Sequence, residues 1–325
     1  MRAAFYEKNG IAREVLTLGE VDAPQPGPGE VRVKLKTSGV NPSDVKSREG
    51  RTRKIGWPRV IPHSDGAGDI DMVGDGVPAQ RVGERVWIWN AQWKRAFGSC
   101  ADYVVLPAAL AVPLPADIGY EAGACLGIPA MTACHAVAVA GAAKGRTVLV
   151  TGGAGGVGHY AIQFAKAAGA TVLTTVSSEA KAALARQAGA DHVIDYKREN
   201  VGERVMALTG KAGVDAVVEM DLAANARFYP GALHARSDVV VYGTGSPEAP
   251  IPAQFLLVNA IAVKFVFVYE LTAGERAAAV GAINRMLANK TLINNVALTL
   301  PLSDIIAAHE AVEQGKAAGN VVVTL

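Results

Sequence analysis

Apolar and polar positions follow one period in the first third of the chain and another in the middle. In Glu30-Val-Arg-Val-Lys-Leu-Lys-Thr, the residues Val31, Val33, Leu35 and Thr37 interleave with Arg32, Lys34 and Lys36. That period of two is what a strand with one wet face requires. Pro24, Pro26, Gly27, Pro28 and Gly29 precede it as turn residues, and further short strands are expected around 66–73, 85–89 and 101–106. Short strands separated by glycine-containing turns predict a barrel-like or sandwich β domain. Beyond about residue 130 the pattern becomes alternating strand and helix, with strand segments at 147–151, 171–176, 192–194, 214–219, 238–242 and 261–269. Val157, Ala161, Phe164, Ala165 and Ala168 line one helical face between the first two. Strands interleaved with helices in this way predict an α/β fold with a parallel, doubly wound sheet. Helices near 273–287 and 303–314 and a last strand at 321–325 complete the reading.

Composition narrows the function more than the fold. The chain has 325 residues, enough for two domains, and half of them are hydrophobic. Its 32 basic and 30 acidic side chains leave +2, too balanced to recruit nucleic acid or anionic lipid by bulk attraction. Cys100, Cys125 and Cys134 form no CxxC pair, which favours a reducing compartment over a disulfide or zinc-ribbon scaffold. The opening residues lack the apolar core of a secretory signal, so a cytoplasmic protein is expected. Residues 122–143 carry no Asp, Glu, Lys or Arg, yet they are rich in Ala and Gly and contain Pro129 and His135. They predict a tightly packed small-residue helix and no membrane span.

The strongest chemical signal is Thr147-Val-Leu-Val-Thr-Gly-Gly-Ala-Gly-Gly-Val-Gly, where a strand runs into Gly153-x-Gly155-x-x-Gly158 and a helix follows. Such glycines permit a tight turn, let backbone N–H groups approach a pyrophosphate, and let helix and strand pack closely. Gly153, Ala154, Gly155, Gly156, Val157 and Gly158 are therefore candidate dinucleotide-binding residues. A site for NAD usually ends the second strand in Asp or Glu, whereas Thr174-Thr-Val-Ser-Ser-Glu-Ala-Lys offers Ser177, Ser178 and Lys181. Hydroxyls and a lysine suit the 2′-phosphate of NADPH, although either serine can also cap the next helix and Glu179 can oppose the phosphate.

Three segments carry a family resemblance: Gly39-Val-Asn-Pro-Ser-Asp-Val-Lys-Ser-Arg-Glu-Gly, Gly155-Gly-Val-Gly-His-Tyr-Ala-Ile-Gln-Phe-Ala-Lys, and Ala188-Gly-Ala-Asp-His-Val-Ile-Asp-Tyr-Lys-Arg-Glu-Asn-Val. Along its whole length the chain resembles the zinc-independent, zeta-crystallin-like quinone oxidoreductases of the medium-chain dehydrogenase/reductase family. The resemblance implies a GroES-like β domain formed by both chain ends, 1–129 and 269–325, with a six-stranded Rossmann NADP-binding domain inserted at 130–268. It implies that Asn41 and Thr132 face the nicotinamide, with Asn41 the catalytic candidate, and that Lys181 and Tyr196 contact the 2′-phosphate. Tyr242, Gly243, Thr244 and Phe267 would close over the nicotinamide, and Asn320 stands where relatives carry a cofactor-side lysine. It also implies a homodimer paired through strand 261–269.

In zinc-dependent members of the same superfamily, Cys, His and Cys hold the metal. Here Asn41 and Ser64 stand at the first two positions, Ile128 and Pro129 lie around the third, and Cys100 alone occupies the lobe of the structural zinc. No metal site is expected. Hydride delivery to a quinone or conjugated carbonyl fits these residues, because the acceptor spreads the negative charge itself and the protein needs chiefly to orient it. The rival readings are an enoyl-thioester or alkenal reductase and, from another class, an NADPH-binding structural or RNA-binding protein. His135, His159, Cys125 and Cys134 read as packing residues and Asp44 as a cap or supporting partner. The loop Arg51-Thr-Arg-Lys-Ile-Gly-Trp57 places three cations where relatives put a tyrosine, which suggests a polar or anionic acceptor.

Overall fold

The computed structural model describes residues 1–325 and divides into two compact units, residues 1–129 with 294–325 and residues 130–293. The first unit opens with β1 (Arg2–Phe5), α1 (Ala12–Val15), β2 (Thr17–Glu20), the long β3 (Glu30–Val40) and α2 (Pro42–Glu49). It continues with β4 (Asp65–Val73), β5 (Arg85–Ile88), β6 (Tyr103–Pro107), β7 (Ala111–Pro113) and α3 (Tyr120–Gly123). The second unit begins with α4 (Met131–Val139). It then alternates β8 (Thr147–Val150), α5 (Gly156–Ala167), β9 (Thr171–Val176), α6 (Glu179–Gln187), β10 (His192–Asp195), α7 (Val201–Leu208) and β11 (Val214–Glu219). The short α8 (Leu222–Asn225), β12 (Leu233–Val241), α9 (Ala253–Val258), β13 (Ala262–Phe265) and α10 (Ala273–Ala288) complete it. The chain then returns to the first unit as β14 (Val296–Pro301), α11 (Ile305–Glu313) and β15 (Asn320–Thr324).

In the first unit, β14, β15, β3, β4, β5 and β7 form one sheet in that order, with β6 also paired to β3. β15 runs antiparallel to β3, Val321 opposite Val40 and Thr324 opposite Thr37, so the last strand closes the sheet that the third began. The wet-faced strand expected near residue 30 is β3: Val31, Val33 and Leu35 are buried while Lys34 and Lys36 are exposed. This is the GroES-like unit, with Ala3, Tyr6, Ile61, Ile305 and Val323 among its core residues. The second unit carries a Rossmann-type parallel sheet of six strands, ordered β10-β9-β8-β11-β12-β13. β8, β9 and β11, at or next to the sheet's middle, are buried along nearly their whole length, on both faces of the pleat.

Two boundaries differ from the sequence reading. The return to the first unit falls at residue 294, not 269, because α10 packs on α4 and stays with the second unit. The apolar run 261–269 also yields a shorter strand, since β13 ends at Phe265 and residues 268–270 form a helical turn. An unbroken apolar pattern gave no punctuation for that exit. The small-residue stretch 122–143 is broken at Gly127, whose ψ of −110° interrupts the helical path before Pro129. No helix of the chain is long and apolar enough to cross a membrane.

Candidate functional site

In the second unit, β8 runs through Thr151 into the glycine turn and α5. The left-handed residue of that turn is Gly152, at φ 68°, which the Gly153-x-Gly155-x-x-Gly158 spacing does not single out. A Cβ on Gly153 would stand 2.0 Å from Thr174 Oγ1, and one on Gly158 would stand 2.2 Å from the Gly152 carbonyl oxygen. Those two glycines let turn, strand and helix close up. Gly155 is less crowded: a Cβ there would meet only the Gly152 oxygen, in a tight contact at 3.3 Å. Gly155 is also the N-cap of α5, and no side chain caps that end. The N–H groups of the first turn, on Gly156, Val157 and Gly158, thus lack the partners a capping side chain would give them, at the positive end of the helix dipole. Ala154 is buried in the turn between them. The arrangement fits a pyrophosphate.

The end of β9 supplies the next contacts. Thr175 Oγ1 accepts the Gly152 N–H at 3.0 Å and Thr174 Oγ1 donates to the Val150 carbonyl at 2.7 Å, which ties turn and strand together. Ser178 is the N-cap of α6, its Oγ accepting the Lys181 N–H at 3.4 Å, so this serine serves the helix. Ser177 is half-buried just past the strand, and Glu179 is drawn away by Arg186 at 2.6 Å. Tyr196 donates its backbone N–H to the Val176 carbonyl at 3.1 Å, bringing it beside the same strand end with its ring 51% exposed. Ser177 and Tyr196 thus lie at the end of β9, and Lys181 lies on the first turn of the helix that follows it.

Beneath the turn lies a carboxylate that sequence reasoning passed over. Glu219, buried at the end of β11, accepts Thr151 Oγ1 at 2.9 Å, the Asp221 N–H at 2.7 Å, Asn225 Nδ2 at 2.7 Å and the Tyr229 hydroxyl at 3.1 Å. Burial raises its pKa, and these donors oppose the rise. Tyr242 follows β12, its N–H donating to the Glu219 carbonyl at 3.0 Å. At Gly243 a Cβ would meet the Met220 carbonyl oxygen at 2.4 Å, and Thr244 Oγ1 donates to the Ser246 carbonyl at 2.8 Å. Thr132 is buried on the first turn of α4, and Phe267 is exposed just after β13 with its ring 5.3 Å from Tyr269.

In the first unit, Asn41 caps α2 and the following proline starts the helix at its natural place. Its backbone N–H donates to Asp44 Oδ2 at 2.8 Å and its Nδ2 to Asp65 Oδ2 at 2.7 Å. The other oxygen of Asp65 accepts the Ile128 N–H at 2.8 Å. Only glycine fits at 127, because a Cβ there would lie 2.1 Å from Asp65 Oδ1. Two positions compared with zinc ligands, Asn41 and Ile128, thus meet on the carboxylate of Asp65, and Ser64 is its chain neighbour. No group of three or more His, Cys, Asp or Glu side chains is placed to hold a metal ion. Burial pushes the Asp65 carboxyl well above its usual range, opposed by the Ile128 and Asn41 donors, and pushes Asp44 up to about 7. Asp65 fixes the Asn41 amide through its nitrogen, while the Asn41 side chain also takes part in a capping box with Asp44 at the start of α2. Asn320, at the start of β15, is buried and donates through Nδ2 to the Asn295 carbonyl at 3.2 Å.

A chain of buried groups supports this centre. Ser99 Oγ donates to the Asp65 carbonyl, Ser38 Oγ lies 2.8 Å from both Ser99 Oγ and His63 Nδ1, and His63 Nε2 lies 3.0 Å from His309 Nε2. Which atom donates in the Ser38–Ser99, Ser38–His63 and His63–His309 contacts follows from the two imidazole tautomers, and Ser38 Oγ also lies 3.4 Å from the Asp65 carbonyl. Burial favours the neutral form of both rings, lowering His63 to about 3 and pushing His309 well below the ordinary histidine value. His63 adopts φ 77°, a left-handed conformation that this pairing holds in place.

Comparison with known proteins agrees with this picture. The zinc-binding dehydrogenase family model matches residues 156–285 and the alcohol dehydrogenase GroES-like domain model matches 27–116. The chain is 38% identical to a rat quinone oxidoreductase over 210 residues, 64% of this chain and 62% of that protein's length. It is 30% identical to a quinone oxidoreductase of Lama guanicoe over 329 residues, covering 100% of this chain and 98% of the relative. A 2-haloacrylate reductase of a Burkholderia species is 34% identical over 226 residues, 67% of this chain and 66% of the relative. Among solved structures, a mycobacterial protein complexed with NADPH superposes over 100% of both chains with a TM-score of 0.89 and 30% identity.

Proposed function

The chain belongs to the medium-chain dehydrogenase/reductase family, beside its quinone oxidoreductases, and from that premise we propose that it is an NADPH-dependent reductase of quinones or related conjugated carbonyls that uses no zinc. The observation that carries the reading is the start of α5 at Gly155, which no side chain caps, together with the cation Lys181 on the first turn of the neighbouring α6. When bound, NADPH supplies the hydride, and a conjugated acceptor delocalises the charge it receives. The first-turn N–H groups of α5 bind the pyrophosphate, while Ser177, Lys181 and Tyr196 bind the 2′-phosphate. Thr132, Tyr242, Gly243, Thr244 and Phe267 bound the nicotinamide end. Asn41, its amide fixed by Asp65 and by the capping box with Asp44, orients the acceptor. The zinc-free reading rests on Asn41, Ser64 and Ile128, none of them a thiolate or imidazole.

The assembly is a homodimer through the edge of the parallel sheet. β13 closes that sheet with one side unpaired, and Phe265 (72%), Leu257 (79%) and Val258 (71%) are exposed beside it. The decisive experiment follows NADPH and NADH oxidation with quinones, enones and enoyl thioesters, with and without a chelator. Chelator-insensitive, NADPH-preferring turnover of quinones or enones supports the proposal. Turnover confined to acyl thioesters moves the substrate class, and tight NADPH binding without turnover returns the structural or RNA-binding reading.

A further inference from the structure

We propose that Arg53 is a receptor for a carboxylate carried by the acceptor molecule. The proposal rests on the reductase reading for the reaction and on the geometry below for the site. Of the three cations after α2, Arg51 lies 3.4 Å from Glu49 Oε2 and is exposed, and Lys54 stands in solvent. Arg53 is different. Its Nη2 donates to the amide oxygen of Gln92, its guanidinium carbon lies 5.3 Å from the centre of the Trp93 ring, and it is half-buried. Gln92 is itself buried and fixed, donating through Nε2 to the Arg95 carbonyl at 2.8 Å.

The loop folds back along α2 instead of leaving it. Thr52 Oγ1 lies 3.3 Å from Ser47 Oγ, and the Ile55 N–H donates to Asn9 Oδ1 at 2.9 Å. Arg53 is thereby turned toward the half of α2 that begins at Asn41, within electrostatic reach of Asp44 and Tyr6. Asp44 is not its ion-pair partner: no carboxylate oxygen lies within 4.0 Å of Arg53, and Asp44 Oδ2 is engaged by the Asn41 N–H. Elsewhere in this unit, Arg2, Arg13, Arg32, Arg48, Arg59 and Arg81 each meet a carboxylate, while Arg85 is held by the Pro115 and Ile118 carbonyls and the Tyr120 hydroxyl and Arg95 by the Ala91 carbonyl. Arg53 is the arginine oriented by an amide and an indole, both neutral. Its remaining N–H groups form a planar fork that no carboxylate meets directly, the geometry that takes a carboxylate bidentately.

The test uses an enone acid and its neutral twin, 4-oxopent-2-enoate and the methyl ester, with R53Q, R53K and R51Q variants. A charged hydrogen bond of ordinary strength predicts that R53Q lowers the acid-to-ester ratio of kcat/KM by about tenfold or more. R53K should lose less, and R51Q should hold the ratio within about twofold. An unchanged ratio in R53Q, or an equal fall in R51Q, overturns the proposal. Binding of the saturated acid 4-oxopentanoate to the NADP-loaded protein, read by ligand-observed NMR, separates the two readings. An R53Q loss of about tenfold in that affinity, in a protein that turns over neither enone, keeps the receptor and removes the reductase. Affinity equal in wild type and R53Q removes the receptor whatever the enzyme reduces.

Discussion

Around Asn41 both oxygens of the shared carboxylate are matched by donors from elsewhere in the chain, whereas around Gly155 a helix starts with its donors uncapped. The first centre is built by burial: Asp65, His63 and His309 are wholly enclosed, and each must find a proton partner inside the unit. The second is built by omission, through three glycines and a missing cap. A closed centre is fixed by what the protein contains, and an open one by what it leaves for a ligand. The two should therefore fail differently when altered.

The largest expected effect is at the closed centre. Asp65→Ala strands the Asn41 amide and the Ile128 N–H, and should cost about 3 kcal/mol of stability by denaturant unfolding, with a fall in kcat at a permissive temperature. Next, Gly153→Val forces a side chain against Thr174 and should weaken NADPH binding by roughly 100-fold in titration, about 2.7 kcal/mol. An intact NADPH affinity in that variant would erase the contrast. Lys181→Ala should reduce the preference for NADPH over NADH by about tenfold and leave NADH kinetics nearly unchanged, as removal of a phosphate contact does.

The smallest effect comes from His159, buried on α5, whose pKa burial lowers to about 4. The folded state keeps this imidazole neutral while the unfolded chain takes up a proton below the ordinary histidine value. Stability linked to it is complete above that value and is lost as pH falls toward 4. Between pH 6.5 and 5.5 the wild type should lose about 1 kcal/mol more than His159→Gln, measured by unfolding at the two pH values. A loss equal in both proteins would show that the ring is already protonated when folded.

Legibility in the sequence followed the same division. The β8–α5 turn announced itself because glycine spacing and the strand-to-helix switch are local, and the period-two pattern of β3 is local too. Gly152, the residue actually in left-handed geometry, was hidden by an adjacent glycine that suits the motif as well. Asp65 and Glu219 were not legible, since what makes each important is the convergence of donors from distant segments. The His63–His309 contact joins residues 246 apart, and no spacing rule reaches that far. Only the adjacency of His63, Ser64 and Asp65 to a strand start could have marked the place. At β13 the apolar run concealed its own end, and the boundary at 294 depended on how α10 packs.

The antiparallel pairing of β15 with β3 imposes an order in time. Residues 130–293 are contiguous and can acquire their shape while synthesis is still under way. The earlier unit cannot: the 37–40 end of β3 lacks its partner on one side until residues 320–324 leave the ribosome, and His63 waits for His309 as its stacking ring. The segment made first is therefore finished last, and a nascent chain halted near residue 300 would display a completed second unit and an unsealed sheet.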